Sequence, residues 1–149
     1  MNINILSEAE LTQLRSIIAA AADIVVIGHV NPDGDAIGST LAWTNYLQSE
    51  GKSVSLIVPD KYPDFLNWLP NTDKILRHDK HPEKTELLVA TADLIFCLDL
   101  NTLSRTEALA DHIASAKAAK VLIDHHPNPD DLFNLTISHP EMSSTSELV

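Results

Sequence analysis

The chain has 149 residues, enough for one α/β domain with a sizeable core and too few for two ordinary ones. Its formal net charge of −11 argues against a protein that tracks long nucleic acid, because such proteins rely on basic surfaces that displace counterions. A single cysteine, Cys97, excludes an internal disulfide framework, and an ordinary apolar content excludes disorder as the default reading.

The chain does not open on a basic segment followed by an apolar stretch and a cleavage site, so secretion is not expected and cytoplasm is the expected compartment. The most hydrophobic run, residues 17–30, is broken by Asp23 and His29. It is shorter than the ~20 apolar residues a spanning helix needs, so no membrane role is expected.

Three S-x-x-E signatures mark expected helix starts: Ser7 with Glu10, Ser104 with Glu107, and Ser144 with Glu147. After the first, Leu11, Leu14, Ile18 and Ala22 share one helical face. The β-branched run at 24–29 then predicts a buried strand ending at His29. A second helix is predicted over 35–48, with Gly51 as its stop signal, followed by a strand at 53–58. Residues 60–81 read as loop with one helical turn at 65–69. A helix at 83–91, a strand at 94–98 ending on Asp99, a helix after Ser104, a strand at 120–123 and a shorter strand at 135–138 complete the series. Near-continuous apolar strands alternating with helices predict a Rossmann-like α/β fold, a mostly parallel sheet with helices on both faces. There is no internal repeat and no linker. The capping box at Ser144 has only Leu148 and Val149 after it to supply an apolar body, which reads as a fragment of a longer protein.

Ligands of open parallel sheets bind outside the carboxyl ends of the strands. Here the first strand leads into His29, Asp33 and Asp35, the third into Asp99, and the fourth into Asp124, His125 and His126. Each of these residues alone has an ordinary reading: a capped turn, a helix cap, a surface pair. Three strand ends on one rim, all supplying ligand-type side chains, point to a site. Pro32 fixes the turn, and Gly34 is expected to give tight backbone geometry between two carboxylates. Two carboxylates ~4 Å apart repel by about 4 kcal/mol at an effective dielectric near 20, so the cluster calls for divalent cations. Mixed imidazole and carboxylate ligands suit Mn²⁺, with Mg²⁺, Co²⁺ or Zn²⁺ as alternatives. His78, His81, His112 and His139 are read as solvated. Cys97, Trp43, Tyr46 and Leu47 are read as packing residues.

The D-H-H run at Asp124, His125 and His126 resembles the motif that names the DHH phosphoesterases. The turn around Asp33-Gly34-Asp35 is similar to their first motif, F-C-L-D-L-N at Asp99 to their second, and S-S-T-S-E-L from Ser143 to their fourth. The initial capped helix and the P-D-G-D turn look most like the nanoRNase/pAp phosphatase group, whereas inorganic pyrophosphatases of the superfamily usually carry P-D-T-D. The resemblance implies a two-metal hydroxide mechanism on short oligoribonucleotides and/or 3′-phosphoadenosine 5′-phosphate. Alternatives are a cyclic-di-AMP/pApA phosphodiesterase, a manganese-dependent pyrophosphatase, or, outside catalysis, a nucleotide-binding regulator.

It also implies roles. His29 and Asp33 would hold one Mn²⁺ and Asp35 and His125 the other, with Asp99 bridging both. His126 would bind the substrate phosphate or stabilise its developing charge, with Asp124 orienting a neighbouring imidazole and Asn31 and Ser144 making contacts near the site. The implied partner is a short RNA or small nucleotide, and family members are often homodimers. A further carboxylate ligand and a glycine-rich substrate-binding domain belong to the family pattern and are expected beyond this chain.

Overall fold

The computed structural model describes residues 5–149. Ser7 starts the first helix, α1 (Glu8–Ala20), through a complete capping box: its hydroxyl accepts from the Glu10 N–H, and the Glu10 carboxylate accepts from the Ser7 N–H at 2.8 Å. Leu14 is buried, Leu11 and Ile18 are half-buried, and Ala22 lies past the C-cap at Ala21. The apolar face is therefore one turn shorter than its spacing suggests.

Six strands form one sheet: β1 (Asp23–Ile27), β2 (Ser53–Val58), β3 (Leu76–Arg77), β4 (Leu94–Leu98), β5 (Ala119–Asp124) and β6 (Leu135–Ser138). Their order is β3-β2-β1-β4-β5-β6 and every pairing is parallel. Short β3 lies inside the stretch read as loop, and the expected turn there spans Asp64–Leu66 as a 3₁₀ turn. Helices α2 (Gly34–Ser49), α3 (Pro82–Thr91) and α4 (Ala110–Ser115) make the crossovers.

Alternation along each strand divides the core in two. Ile24, Val26, Leu56, Phe96, Val121 and Ile123 face α1 and α2, meeting Leu14, Ile37, Leu41 and Trp43. Trp43 packs edge-on against Phe96, with ring centroids 5.3 Å apart. Val25, Ile27, Ile57, Ile95, Cys97 and Leu122 face the other layer, meeting Val89 of α3 and Ile113 of α4. Cys97 is fully buried and burial pushes its thiol up to about 12, in keeping with a packing residue. Tyr46, by contrast, is half exposed.

The segment after Ser104 departs from expectation. Leu103–Leu109 forms 3₁₀ turns broken at Glu107, whose φ of 49° and ψ of −117° lie outside helical space. Thr102, not Ser104, holds the N-cap position, and the Ser104 hydroxyl meets the Thr102 hydroxyl at 2.7 Å. Buried Leu103, Thr106 and Leu109 fix this path, and their burial outweighs the local cap signature. His78 also departs: it is buried, with Nδ1 2.7 Å from the Thr85 hydroxyl.

Two tests follow from local geometry. Glu107→Gly puts a permissive residue at a strained φ and should stabilise the fold by about 1 kcal/mol, read as a higher urea midpoint. An unchanged midpoint would mean the backbone there carries no strain. Asp93, before β4, accepts from the Asp23 and Ala22 N–H groups at 2.9 and 3.0 Å, tying the entry of β1 to that of β4. Those bonds, that of Asp23 foremost, hold its carboxyl below the usual range. Its contribution is thus present above the unfolded value of ~3.9 and lost as pH falls. Asp93→Asn should flatten the acid side of the stability profile below about pH 5, and parallel profiles would refute this.

Candidate metal centre

The strand order reverses direction between β1 and β4, and the crevice at their carboxyl ends is where such sheets take ligands. His29 lies two residues past β1, Asp99 directly after β4, and Asp124 is the last residue of β5, followed by His125 and His126. Asp33 is the N-cap of α2 and Asp35 lies in its first turn. The loops after β1, β4 and β5 each hold one Asn or Asp of positive φ: Asn31 (48°), Asp99 (61°) and Asn128 (56°). Asn and Asp tolerate this left-handed geometry better than other side chains, which explains these residue types at the three bends.

Asp99 is the hub. Its Oδ2 lies 3.3 Å from His29 Nε2, and its Oδ1 lies 3.5 Å from His125 Nε2 and 3.9 Å from His126 Nδ1. His29 Nε2 also faces Asp33 Oδ1 at 3.8 Å, and His125 Nε2 faces Asp35 Oδ2 at 3.5 Å. The five residues expected as metal ligands are thus brought together, as two groups sharing Asp99. Among the described residues, ligand atoms of His29, Asp33 and Asp99 lie within 4.8 Å of one another, and so do those of Asp99, His125 and His126. His125 and His126 lie beyond the strand end, where alternation no longer applies, and their rings sit 4.4 Å apart.

The charges are in conflict without a cation. Asp99 is 1% exposed; burial above all, with the Asp35 charge, pushes its carboxyl up against the opposing pull of His29. Burial presses the His29 imidazole toward neutrality, but Asp99 and the Val30 carbonyl together lift it above its ordinary value. Asp35 is also pushed up by burial, and donors from Ser146 and Thr145 outweigh this and hold it low. His29 Nδ1 lies 2.6 Å from the Val30 carbonyl, which has no proton to give, so Nδ1 carries the hydrogen and Nε2 faces the carboxylates. Asp124 is fully buried. Its Oδ1 meets His126 Nδ1 at 2.7 Å, and its Oδ2 has no hydrogen-bond partner among the described residues. Imidazole and carboxylate donors, aimed imidazole nitrogens and a surplus of negative charge fit one or two divalent ions.

The other expectations fare unevenly. Asn31 is exposed and its N–H donates to Asp60 at 2.8 Å. Ser144 does not turn its side chain to the cluster; it accepts from the Glu147 N–H as N-cap of a short 3₁₀ turn, Thr145–Glu147. Its neighbours make the contacts instead. Thr145 N–H and Ser146 N–H donate to Asp35 at 2.9 and 2.8 Å, and the Thr145 hydroxyl donates to Asp99 Oδ1 at 3.0 Å. The signal for this was present: a capped turn leaves its first N–H groups free, and they seek an acceptor. Gly34 also differs from expectation. It adopts no positive φ, and a Cβ there would meet nothing within 4 Å, so the turn does not require glycine. A groove of about 200 Å³ beside Leu41, Thr44 and Lys74 shares no residue with the cluster.

Residues 23–149 match the model of the DHH family, N-terminal domain, and the chain belongs to that family. It is 29% identical over 149 residues to the cyclic-di-AMP phosphodiesterase GdpP of Geobacillus thermodenitrificans, covering 91% of this chain and 22% of the relative. It is 28% identical over 131 residues to the bifunctional oligoribonuclease and PAP phosphatase NrnA of Thermus thermophilus, covering 88% of this chain and 36% of the relative. An exopolyphosphatase-related protein from Bacteroides fragilis superposes with a TM-score of 0.95 at 43% identity, covering 97% of this chain and 43% of that one. GdpP and NrnA are phosphoesterases, and the chain spans less than half the length of each of the three. No helix among the described residues is long and apolar enough to cross a membrane.

Thr145→Val removes the one hydroxyl bonded to Asp99 while keeping the side-chain shape. It should destabilise the metal-free protein by about 1–3 kcal/mol, the cost of a buried acceptor losing its donor. Thr145→Ser should recover most of that. Equal urea midpoints for the Val variant and the wild type would show the hydroxyl to be idle.

Proposed function

We propose that this domain is the metal-holding part of a hydrolase that cleaves short oligoribonucleotides and/or 3′-phosphoadenosine 5′-phosphate, using two Mn²⁺ ions. The observation that supports this is the double engagement of Asp99, one oxygen toward His29 and the other toward His125. A buried carboxylate with imidazoles on either side is suited to bridge two cations. In this reading His29 and Asp33 serve one ion and Asp35 and His125 the other. Asp33 does so with one oxygen already capping α2 through the Ala36 N–H at 2.9 Å.

When bound, a pair of divalent ions stabilises charge on phosphoryl oxygens and lowers the pKa of water, so no side chain has to act as covalent nucleophile. Asp124 holds His126 by Nδ1, which turns Nε2 outward to meet a phosphoryl oxygen or to carry a proton. Thr145 and Ser146 fix both oxygens of Asp35 and so set the ligand geometry. The net charge of −11 favours a substrate with few phosphates, whose charge a local cation pair can neutralise.

The second reading is a cyclic-di-AMP or pApA phosphodiesterase, favoured by the similarity to GdpP at nearly the same identity as to NrnA. A hydrolysis panel on the full-length protein with Mn²⁺ separates them: pApA, 3′-phosphoadenosine 5′-phosphate, cyclic di-AMP and pyrophosphate. We expect turnover of the first two, abolished by chelation. Preference for cyclic di-AMP would support the second reading, preference for pyrophosphate would sink both, and binding without turnover would indicate a regulator. In the same protein Asp99→Ala should weaken Mn²⁺ binding by more than the ~10–100-fold that losing an outer-shell partner costs. Wild-type Mn²⁺ affinity in calorimetry would refute the bridging role.

A further inference from the structure

We propose that Arg105 is a binding residue for the substrate's phosphate, set beside the metal centre; this rests on the hydrolase reading above. Arg105 lies in the irregular segment Leu103–Leu109 that sequence patterning read as an ordinary helix. Its position is fixed by backbone on both sides: its carbonyl accepts from the Val30 N–H at 2.8 Å, and its own N–H donates to the Thr102 carbonyl at 3.2 Å. The loop after β4 is thereby tied to the loop after β1, next to His29. The guanidinium is half-buried, and Nη1 donates to the Asp99 main-chain carbonyl at 3.2 Å.

What the residue lacks is as telling. The chain carries 21 acidic and 10 basic residues, yet among the described residues no carboxylate lies within 4.0 Å of this guanidinium. The carboxylates of Asp99 and Asp33 are turned to the His29 imidazole instead. A guanidinium has five N–H donors in a rigid fork, and one bond to a carbonyl leaves most of them free. A half-buried cation with open donors at the mouth of a metal cluster matches the paired oxygens of a phosphate, which that fork binds with two parallel bonds. The alternative is that Arg105 only tethers the loop through Nη1.

The two accounts part in a titration of Mn²⁺-loaded full-length protein with AMP, together with kinetics on pApA. For Arg105→Gln, which keeps a neutral donor for the Asp99 carbonyl, we expect AMP affinity to fall about 10–100-fold and KM to rise similarly. Mn²⁺ affinity and the melting temperature should stay at the wild-type level. Arg105→Lys keeps the charge but not the fork and should fall between; it also serves if the Gln variant is poorly folded. AMP affinity and KM unchanged in both variants would overturn the proposal. So would Mn²⁺ affinity falling in step with AMP affinity, the mark of a tether. A wild type with no Mn²⁺-dependent hydrolysis would fail the hydrolase reading itself and this proposal with it, whereas an active wild type matched by its Arg105 variants fails this proposal alone.

Discussion

The structure depends on a carboxylate placed where a carboxylate is least comfortable. Asp99 is 1% exposed, in left-handed backbone geometry, at the crevice where the sheet changes direction. Burial disfavours its charge and Asp35 opposes it further. A domain held together by ~5–15 kcal/mol keeps such a group only if its surroundings answer the charge. They do so in three ways: the imidazoles of His29 and His125, the hydroxyl of Thr145, and a geometry open to cations. The same arrangement that strains the free protein makes it a ready receptor for a divalent ion. On the proposed function, stability and activity are coupled through one side chain.

Topology explains why that side chain has such company. Parallel strands deliver all their carboxyl ends to one rim, and the reversal between β1 and β4 leaves a gap there that no crossover helix fills. The loops after β1, β4 and β5 converge on the gap, each bending through a single Asx residue of positive φ. The final 3₁₀ turn closes the far side, with Thr145 and Ser146 gripping Asp35 across more than a hundred residues of chain. Each contributing segment meets the rim just past a strand end, in a helix first turn, or at a capped turn. Fixed donors of this kind cost little reorganisation when charge arrives.

How much of this was legible in the sequence follows from the range of the forces involved. Strands buried on both faces must be apolar throughout, so β1, β2, β4 and β5 stand out as runs, and the acids and histidines after them stand out as breaks. What escaped was long-range. Thr145 and Ser146 look like part of a weak helix start until Asp35 is seen beside them. Arg105 looks like a helical surface residue until Leu103, Thr106 and Leu109 are seen to pull that helix apart. β3 is too short to carry a periodicity, and its pairing comes from the edge of β2. His78 was misread as solvated because its partner, Thr85, comes from the next helix rather than from a pattern of its own. Local signatures failed where tertiary burial set the path, as at Ser104, and held where nothing opposed them, as at Ser7.

The near-equal similarity to GdpP and NrnA has a physical reading. Both relatives share this stretch, and their names state different substrates. A rim of carboxylates and imidazoles handles charge rather than the edge of a base. The groove at Leu41, Thr44 and Lys74 shares no residue with it. In the proposed reading the cluster, His126 and Arg105 meet a phosphoryl group, and that group is common to every candidate substrate. Under the proposed function, discrimination between a linear dinucleotide, a nucleoside bisphosphate and a cyclic dinucleotide would fall to groups other than the cluster itself. On that proposal, substrate preference would be altered by changes outside the cluster, while changes at Asp99 would remove turnover of all three together.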